Sequence, residues 1–183
     1  MIAVDSSGRV AITGTTTSAD FPVTDGSART SGANDTAVAE LAPTGASLVY
    51  STLFGGSGSE STQNPGGLAL DQAGEIFIAS DSTSTDLPVT SGAFQAANGA
   101  GTSDGFLAVF RPLVTAPTPH IKYCTYLGIK AQVGIGGVAV DAAGNAYIAG
   151  FTSNPGTTFP TLNGYQTTHA GDPFDAFVIK ICP

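Results

Sequence analysis

The chain has 183 residues, enough for one domain with a sizeable core, and only 11% of them are charged against 42% hydrophobic. Its 14 acidic and 6 basic residues give a net charge of −8, which disfavours nucleic acid and anionic membrane surfaces, both of which reward clustered Lys and Arg. No apolar run approaches the ~20 residues of a bilayer-spanning helix, and Met1-Ile2-Ala3-Val4-Asp5 has neither the basic region nor the long apolar region of a signal peptide.

In chain order, the first elements are a short apolar strand (A) at Ile2-Ala3-Val4, a tight turn at Asp5-Ser6-Ser7-Gly8 and a second strand (B) at Val10-Ala11-Ile12-Thr13-Gly14. Asp bonds its own backbone two residues on and Gly accepts positive φ, so Asp5 and Gly8 predict a hairpin turn. A loop over 15–34 contains Phe21-Pro22; strand C follows at 35–41 and strand D at Tyr50-Ser51-Thr52-Leu53-Phe54-Gly55. The pattern then returns: strand A at 66–70, a turn with Asp71 and Gly74, strand B at 75–80, a loop over 81–103 with Leu87-Pro88, strand C at 106–110 and strand D at 121–127. A third copy gives strand A at 136–140, a turn with Asp141 and Gly144, strand B at 146–150, a loop over 151–174 with Phe159-Pro160, and strand C at 174–181. The turn aspartates stand 66 and 70 residues apart, and the prolines follow them by 17, 17 and 19 residues. Marks in register at this period are the signature of a repeat architecture, with units 1–65, 66–135 and 136–183. Since Met1 falls inside the first strand of a repeat, the expectation is that an upstream part of the protein is missing.

Several of these strands are apolar at consecutive positions, as strands covered on both faces are. Four short antiparallel strands per unit, stacked face to face, predict an all-β fold of β-propeller blades. Ala3, Ala69 and Ala139, with Gly66-Gly67 and Gly136-Gly137, place strand A where backbones approach closely. A β-sandwich is the alternative, but it does not call for the threefold recurrence of these marks.

The motifs Asp141-Ala142-Ala143-Gly144-Asn145-Ala146-Tyr147, Asp20-Phe21-Pro22, Gly92-Ala93-Phe94-Gln95, Asp175-Ala176-Phe177-Val178-Ile179-Lys180 and Tyr50-Ser51-Thr52-Leu53-Phe54-Gly55-Gly56 together resemble the SBBP repeat of seven-bladed β-propellers in large bacterial proteins. The resemblance covers nearly the whole chain. It implies a propeller and an exported or cell-surface setting, and it carries no catalytic residues to transfer. The copies depart from the pattern at Gly26-Ser27-Ala28-Arg29 and at Pro155-Gly156-Thr157-Thr158, which argues against one shared ligand site in every blade.

The strand count is four, four and three, so the last unit lacks its outer strand. Three blades do not close a ring, for which 4–8 are typical. The strand at 174–181 is therefore predicted to form an assembly edge, through Phe174, Asp175, Phe177, Ile179 and Ile181. Its partner would be another copy of the chain, added strands from another chain, or further blades of a longer protein.

Catalytic chemistry has little support in the sequence. His120 and His169 lie in separate connections outside any metal-binding pattern, and both read as exposed loop residues. Asp5, Asp71 and Asp141 read as turn residues rather than catalytic acids. Calcium is the one cofactor left open: residues 80–86 offer oxygens but only two carboxylates, Asp81 and Asp86. Cys124 and Cys182 read as buried thiols, with a disulfide as the alternative. Long B–C and D–A connections on one face of the scaffold favour recognition, with Asp20, Glu60, Asp86, Phe94 and Tyr165 as candidates. Phe21, Leu87, Phe94, Phe159 and Tyr165 compete for the simpler role of loop anchors. The expectation is a non-enzymatic extracellular module that is structural, self-associating or adhesive; the alternative is a carbohydrate- or protein-binding module using the loop face.

Overall fold

Each Asp-x-x-Gly turn folds the chain back on itself in the same way. Asp5 Oδ1 accepts hydrogen bonds from the backbone N–H groups of Ser7 (2.8 Å) and Arg9 (2.9 Å), while Gly8 adopts φ +85°. Asp71 does the same for Ala73 and Glu75, and Asp141 for Ala143 and Asn145, with Gly74 and Gly144 at φ +79° and +80°. Only glycine takes that backbone without strain.

The computed structural model describes residues 1–27, 33–60, 66–112, 120–128, 130–153, 164–166 and 173–183. Among these residues there are eleven strands and no helix: β1 Ile2–Val4, β2 Val10–Thr16, β3 Asp35–Leu41, β4 Leu48–Phe54, β5 Gly67–Leu70, β6 Ile76–Ser82, β7 Asp104–Phe110, β8 Ile121–Leu127, β9 Val133–Val140, β10 Ala146–Thr152 and β11 Asp175–Ile181. They form three antiparallel meanders: β1-β2-β3-β4 (sheet 1), β5-β6-β7-β8 (sheet 2) and β9-β10-β11 (sheet 3). No sheet closes on itself. Among the described residues the third sheet holds three strands.

Sheet 2 is packed on both faces. Its register places Leu68, Ile78, Ala108 and Cys124 in one row and Ala69, Phe77, Val109 and Tyr123 in the next. The first row joins a core with Ala11, Val38, Tyr50 and Phe54 of sheet 1; the second joins a core with Val133, Ile135, Ile148 and Ile181 of sheet 3. Successive strand residues point to opposite faces, so Ile76–Ala79 and Phe106–Phe110 are apolar at every position, and all fourteen residues of β6 and β7 are buried, the polar Ser80, Asp81, Ser82 and Asp104 among them. The close approach expected of strand A is present between sheets 2 and 3. A Cβ at Gly67 would lie 2.2 Å from the backbone nitrogen of Val138.

Several sequence expectations need correction. β9 begins at Val133 rather than at Gly136, because Val133 and Ile135 are fully buried and Val133–Ile135 pairs with Gly150–Thr152 beyond a bulge. Double coverage does not extend to every apolar strand: β10 and β11 expose alternate residues. His120 is not a free loop side chain, since its ring lies 5.1 Å from that of Tyr50. Cys124 and Cys182 are unbonded; Cys124 is buried, which pushes its thiol up to about 12, and Cys182 is exposed, contrary to its reading as a buried thiol. His169 and Phe159 lie outside the described residues.

Candidate functional site

Strand ends opposite the Asp-x-x-Gly turns bring the long connections together. The D–A connection of the first unit lies along the B–C loop of the second. Ser57 donates its backbone N–H to Asp86 Oδ1 (2.7 Å), Gly58 to Ser84 Oγ (2.9 Å) and Ser59 to Thr83 Oγ1 (2.9 Å). The second and third units repeat the contact, with Gln132 N–H donating to Ser153 Oγ at 3.0 Å. Tyrosines of β8 anchor the second unit's B–C loop: Leu87 N–H donates to the Tyr126 hydroxyl (2.8 Å), which donates to the Ser84 carbonyl (3.0 Å), and Phe94 N–H donates to the Tyr123 hydroxyl (3.0 Å).

The five loop-face candidates therefore occupy different environments. Asp86 is a latch: hydrogen bonding from Ser57, chiefly its backbone N–H, holds the carboxyl below its ordinary range. Glu60 is fully buried and faces no solvent. Asp20 is exposed, Phe94 is half exposed and Tyr165 is fully exposed. Of the expected aromatic and aliphatic anchors Leu87 is buried, Phe21 is partly buried, and Phe94 and Tyr165 leave their rings in solvent. Asp81 is buried within β6, while Asp86 is committed to Ser57. Among the described residues no three His, Cys, Asp or Glu side chains converge as a metal would require.

Glu60 stands out because its counterpart in the next unit is apolar. Glu60 N–H donates to the Asn34 carbonyl and Glu60 bridges Ser82; Val133 N–H donates to the Ser103 carbonyl and Val133 pairs with Thr152. The same place in the fold thus holds a carboxylate at one junction and a core valine at the other. Ser82 Oγ (3.0 Å) and Ser84 Oγ both donate to Glu60 Oε1. Burial raises its pKa above the ordinary glutamate value, against the pull of the two hydroxyls. A Cβ on Gly55 would fall 2.2 Å from Glu60 Oε2 and 3.0 Å from Asp35 Oδ1, and one on Gly128 would fall 1.9 Å from Asp104 Oδ1, so a side chain after strand D would have to displace a buried carboxylate.

The sequence reading missed the most extensive feature: the outer faces of sheets 1 and 3. On sheet 1, Ile2 and Val4 are 70% and 61% exposed, with Ile12 paired to Ile2. On sheet 3, Val178 is 75% exposed; Tyr147 is 37% exposed on the same face, with Lys180 Nζ 5.2 Å from its ring. Repeat registration makes these faces recognisable. Ile2, Val4 and Ile12 correspond to Leu68, Leu70 and Ile78, which pack on sheet 1; Tyr147 and Val178 correspond to Phe77 and Leu107, which pack on sheet 3. The signal was available in the alternation of each outer strand read against its copies. Of the expected assembly edge, Phe177, Ile179 and Ile181 point inward into the core shared with sheet 2, Asp175 pairs with Thr152 at the start of β11, and Phe174 stacks edge-on against Phe151 at 5.5 Å.

No family model matches the chain, and no curated protein matches it. The resemblance to the SBBP repeat rests on the motifs themselves.

Proposed function

We propose that this protein is a non-catalytic repeat module of the β-propeller kind, an open fan of blades that serves as a structural, self-associating component of an extracellular or cell-surface assembly. One observation carries the reading. The outer faces of sheets 1 and 3 carry, at most repeat-equivalent positions, the kind of apolar side chains that are buried between sheets inside the molecule, with Lys180 standing where sheet 2 has Val109. Apolar side chains left exposed where their copies are buried mark a candidate interaction surface. Asp5, Asp71 and Asp141 hold turns and Asp86 holds a loop. The extracellular setting comes from the family resemblance alone.

Light scattering over a range of concentrations tests the proposal. A mass that rises above 18.2 kDa with concentration supports it, and a mass fixed at 18.2 kDa across the range refutes it. The exposed rings of Phe94 and Tyr165 support a second reading, a carbohydrate-binding loop face, since apolar ring faces suit sugar stacking. A glycan array tests that reading: binding lost in the Phe94→Ala or Tyr165→Ala variant supports it.

A further inference from the structure

We infer that copies of this chain associate head to tail, the outer face of sheet 3 in one copy seating on the outer face of sheet 1 in the next. The inference rests on the self-association just proposed and adds to it the two faces and their polarity. Inside the molecule each contact joins unlike faces. The face of sheet 2 that carries Leu68 and Ile78 meets sheet 1, and the face that carries Phe77 and Leu107 meets sheet 3. Among the described residues one face of each kind is left exposed: Ile2 and Val4 on sheet 1, and Val178 and Tyr147, with Lys180 beside it, on sheet 3. A second copy is the partner that presents the matching face.

Backbone geometry supports this occupant. Gly67 of sheet 2 is held tightly against the strand of the next sheet, its Cβ position 2.2 Å from Val138 N. Gly137 is the repeat-equivalent residue of sheet 3, and a Cβ built there meets nothing within 4 Å. The slot that β9 fills beside Gly67 is open beside Gly137, and β1 of a second copy is the segment equivalent to β9. Joining unlike faces makes the contact heterologous, so it either closes a ring or propagates as a filament. Each copy carries a net charge of −8, and screening by high salt is expected to strengthen the association.

Two variants test the polarity. Val4→Arg blocks the sheet 1 face and Val178→Arg blocks the sheet 3 face; both side chains are mostly exposed, so folding is retained, as matching circular dichroism spectra will verify. Burying an unpaired Arg in an apolar contact is expected to weaken self-association of each variant by on the order of 100-fold or more. Each variant alone should therefore remain at 18.2 kDa at concentrations where the wild type is assembled. An equimolar mixture retains one intact junction and should form a one-to-one dimer and nothing larger. If the wild type assembles but either variant alone still reaches the wild-type mass, or the mixture stays monomeric, head-to-tail docking is wrong while self-association stands. A wild type that stays monomeric removes both.

Discussion

β7 and β11 occupy the same place in two copies of one repeat and differ in what lies beyond them. Both open on an aspartate and run on in apolar residues, Asp104–Phe110 and Asp175–Ile181. All seven residues of β7 are buried, whereas burial in β11 alternates, so that Leu107 is 0% exposed and its counterpart Val178 is 75% exposed. The strands do not differ enough in hydrophobicity to explain this. Among the described residues sheet 2 has a neighbour on each side, and sheet 3 has one. An apolar residue of this size gains ~1.5–3 kcal/mol when fully buried, and the outer row of β11 forgoes that gain within one chain.

The sharpest way to break the comparison is to truncate the equivalent pair. Leu107→Ala should cost about 2–5 kcal/mol, as core truncations that leave a cavity do. Val178→Ala should cost about 0.5 kcal/mol or less in dilute solution, because its side chain contributes little to the isolated fold. Urea unfolding of both variants measures the difference. Repeating it at high concentration sharpens the result: if sheet 3 is covered by another copy, the cost of Val178→Ala grows, whereas the cost of Leu107→Ala changes little.

A second pair compares the backbones of the same two sheets. Gly67→Ala places a Cβ against the Val138 backbone, which cannot swing away as a side chain would, and a cost of roughly 1–3 kcal/mol is expected for such overpacking. Gly137→Ala adds a Cβ in open space and should be close to neutral in the monomer. Equal shifts in the urea midpoint would mean that sheets 2 and 3 slide apart to accommodate the methyl group, contrary to a tightly seated junction.

The repeat marks made the strand order, the antiparallel meanders and the turn chemistry legible, because each depends on a local pattern: Asp and Gly three apart, or apolar residues between polar turns. Two things were not legible. The start of β9 was hidden because Val133-Gly134-Ile135 belongs by sequence to a connection and is drawn into the sheet only by burial against sheet 2. The fate of Glu60 was hidden because an acidic residue in a Gly/Ser-rich loop looks solvated. The hydroxyls that make its burial tolerable, on Ser82 and Ser84, lie 22 and 24 residues away. The choice between loop anchors and loop ligands also depended on tertiary contacts: the anchoring tyrosines, Tyr123 and Tyr126, reach the loop from a strand about 30 to 40 residues further on.

The two junctions differ most simply at Glu60 and Val133, and pH separates them. Because the folded pKa of Glu60 is raised, the folded protein holds this proton more tightly than the unfolded chain. Stability is therefore highest below the unfolded value of ~4.3 and falls as pH rises through the higher folded value. Glu60→Gln removes this loss while keeping an oxygen for the serine hydroxyls. It should leave the thermal midpoint near its wild-type value at pH 4 and raise it at pH 8 by a few degrees, equivalent to roughly 1 kcal/mol. A midpoint lowered equally at both pH values would show that the ionised carboxylate is not a burden at this junction.

The smallest expected effect concerns the turns, where the units differ in how the aspartate is held. Asp141 is held at about 2, first by the Asn145 side chain and then by backbone N–H groups and the Tyr147 hydroxyl, with Lys180 at 3.9 Å; Asp5 is held at about 2, first by the Ser7 hydroxyl, with Arg9 adding a closer ion pair at 2.7 Å. In both cases the folded pKa lies below the unfolded value of ~3.9, so the folded protein releases this proton more readily. The stability each contributes is complete above that value and is lost as pH falls towards 2. Asp141→Asn keeps an oxygen for the turn and removes the titration, so the decline of the thermal midpoint between pH 4 and 2 should become shallower. Asp5→Asn should flatten the same decline and also lower the midpoint at pH 7, because Arg9 then loses its nearest carboxylate among the described residues and keeps Glu40 at 3.3 Å. Since the Arg9 side chain also packs against Gly74 of the second unit, that extra loss should weaken the seating of sheet 1 on sheet 2, whereas Asp141→Asn acts within sheet 3 alone. Identical pH 7 midpoints for the two variants would mean that Arg9 contributes nothing to the first junction beyond its own turn.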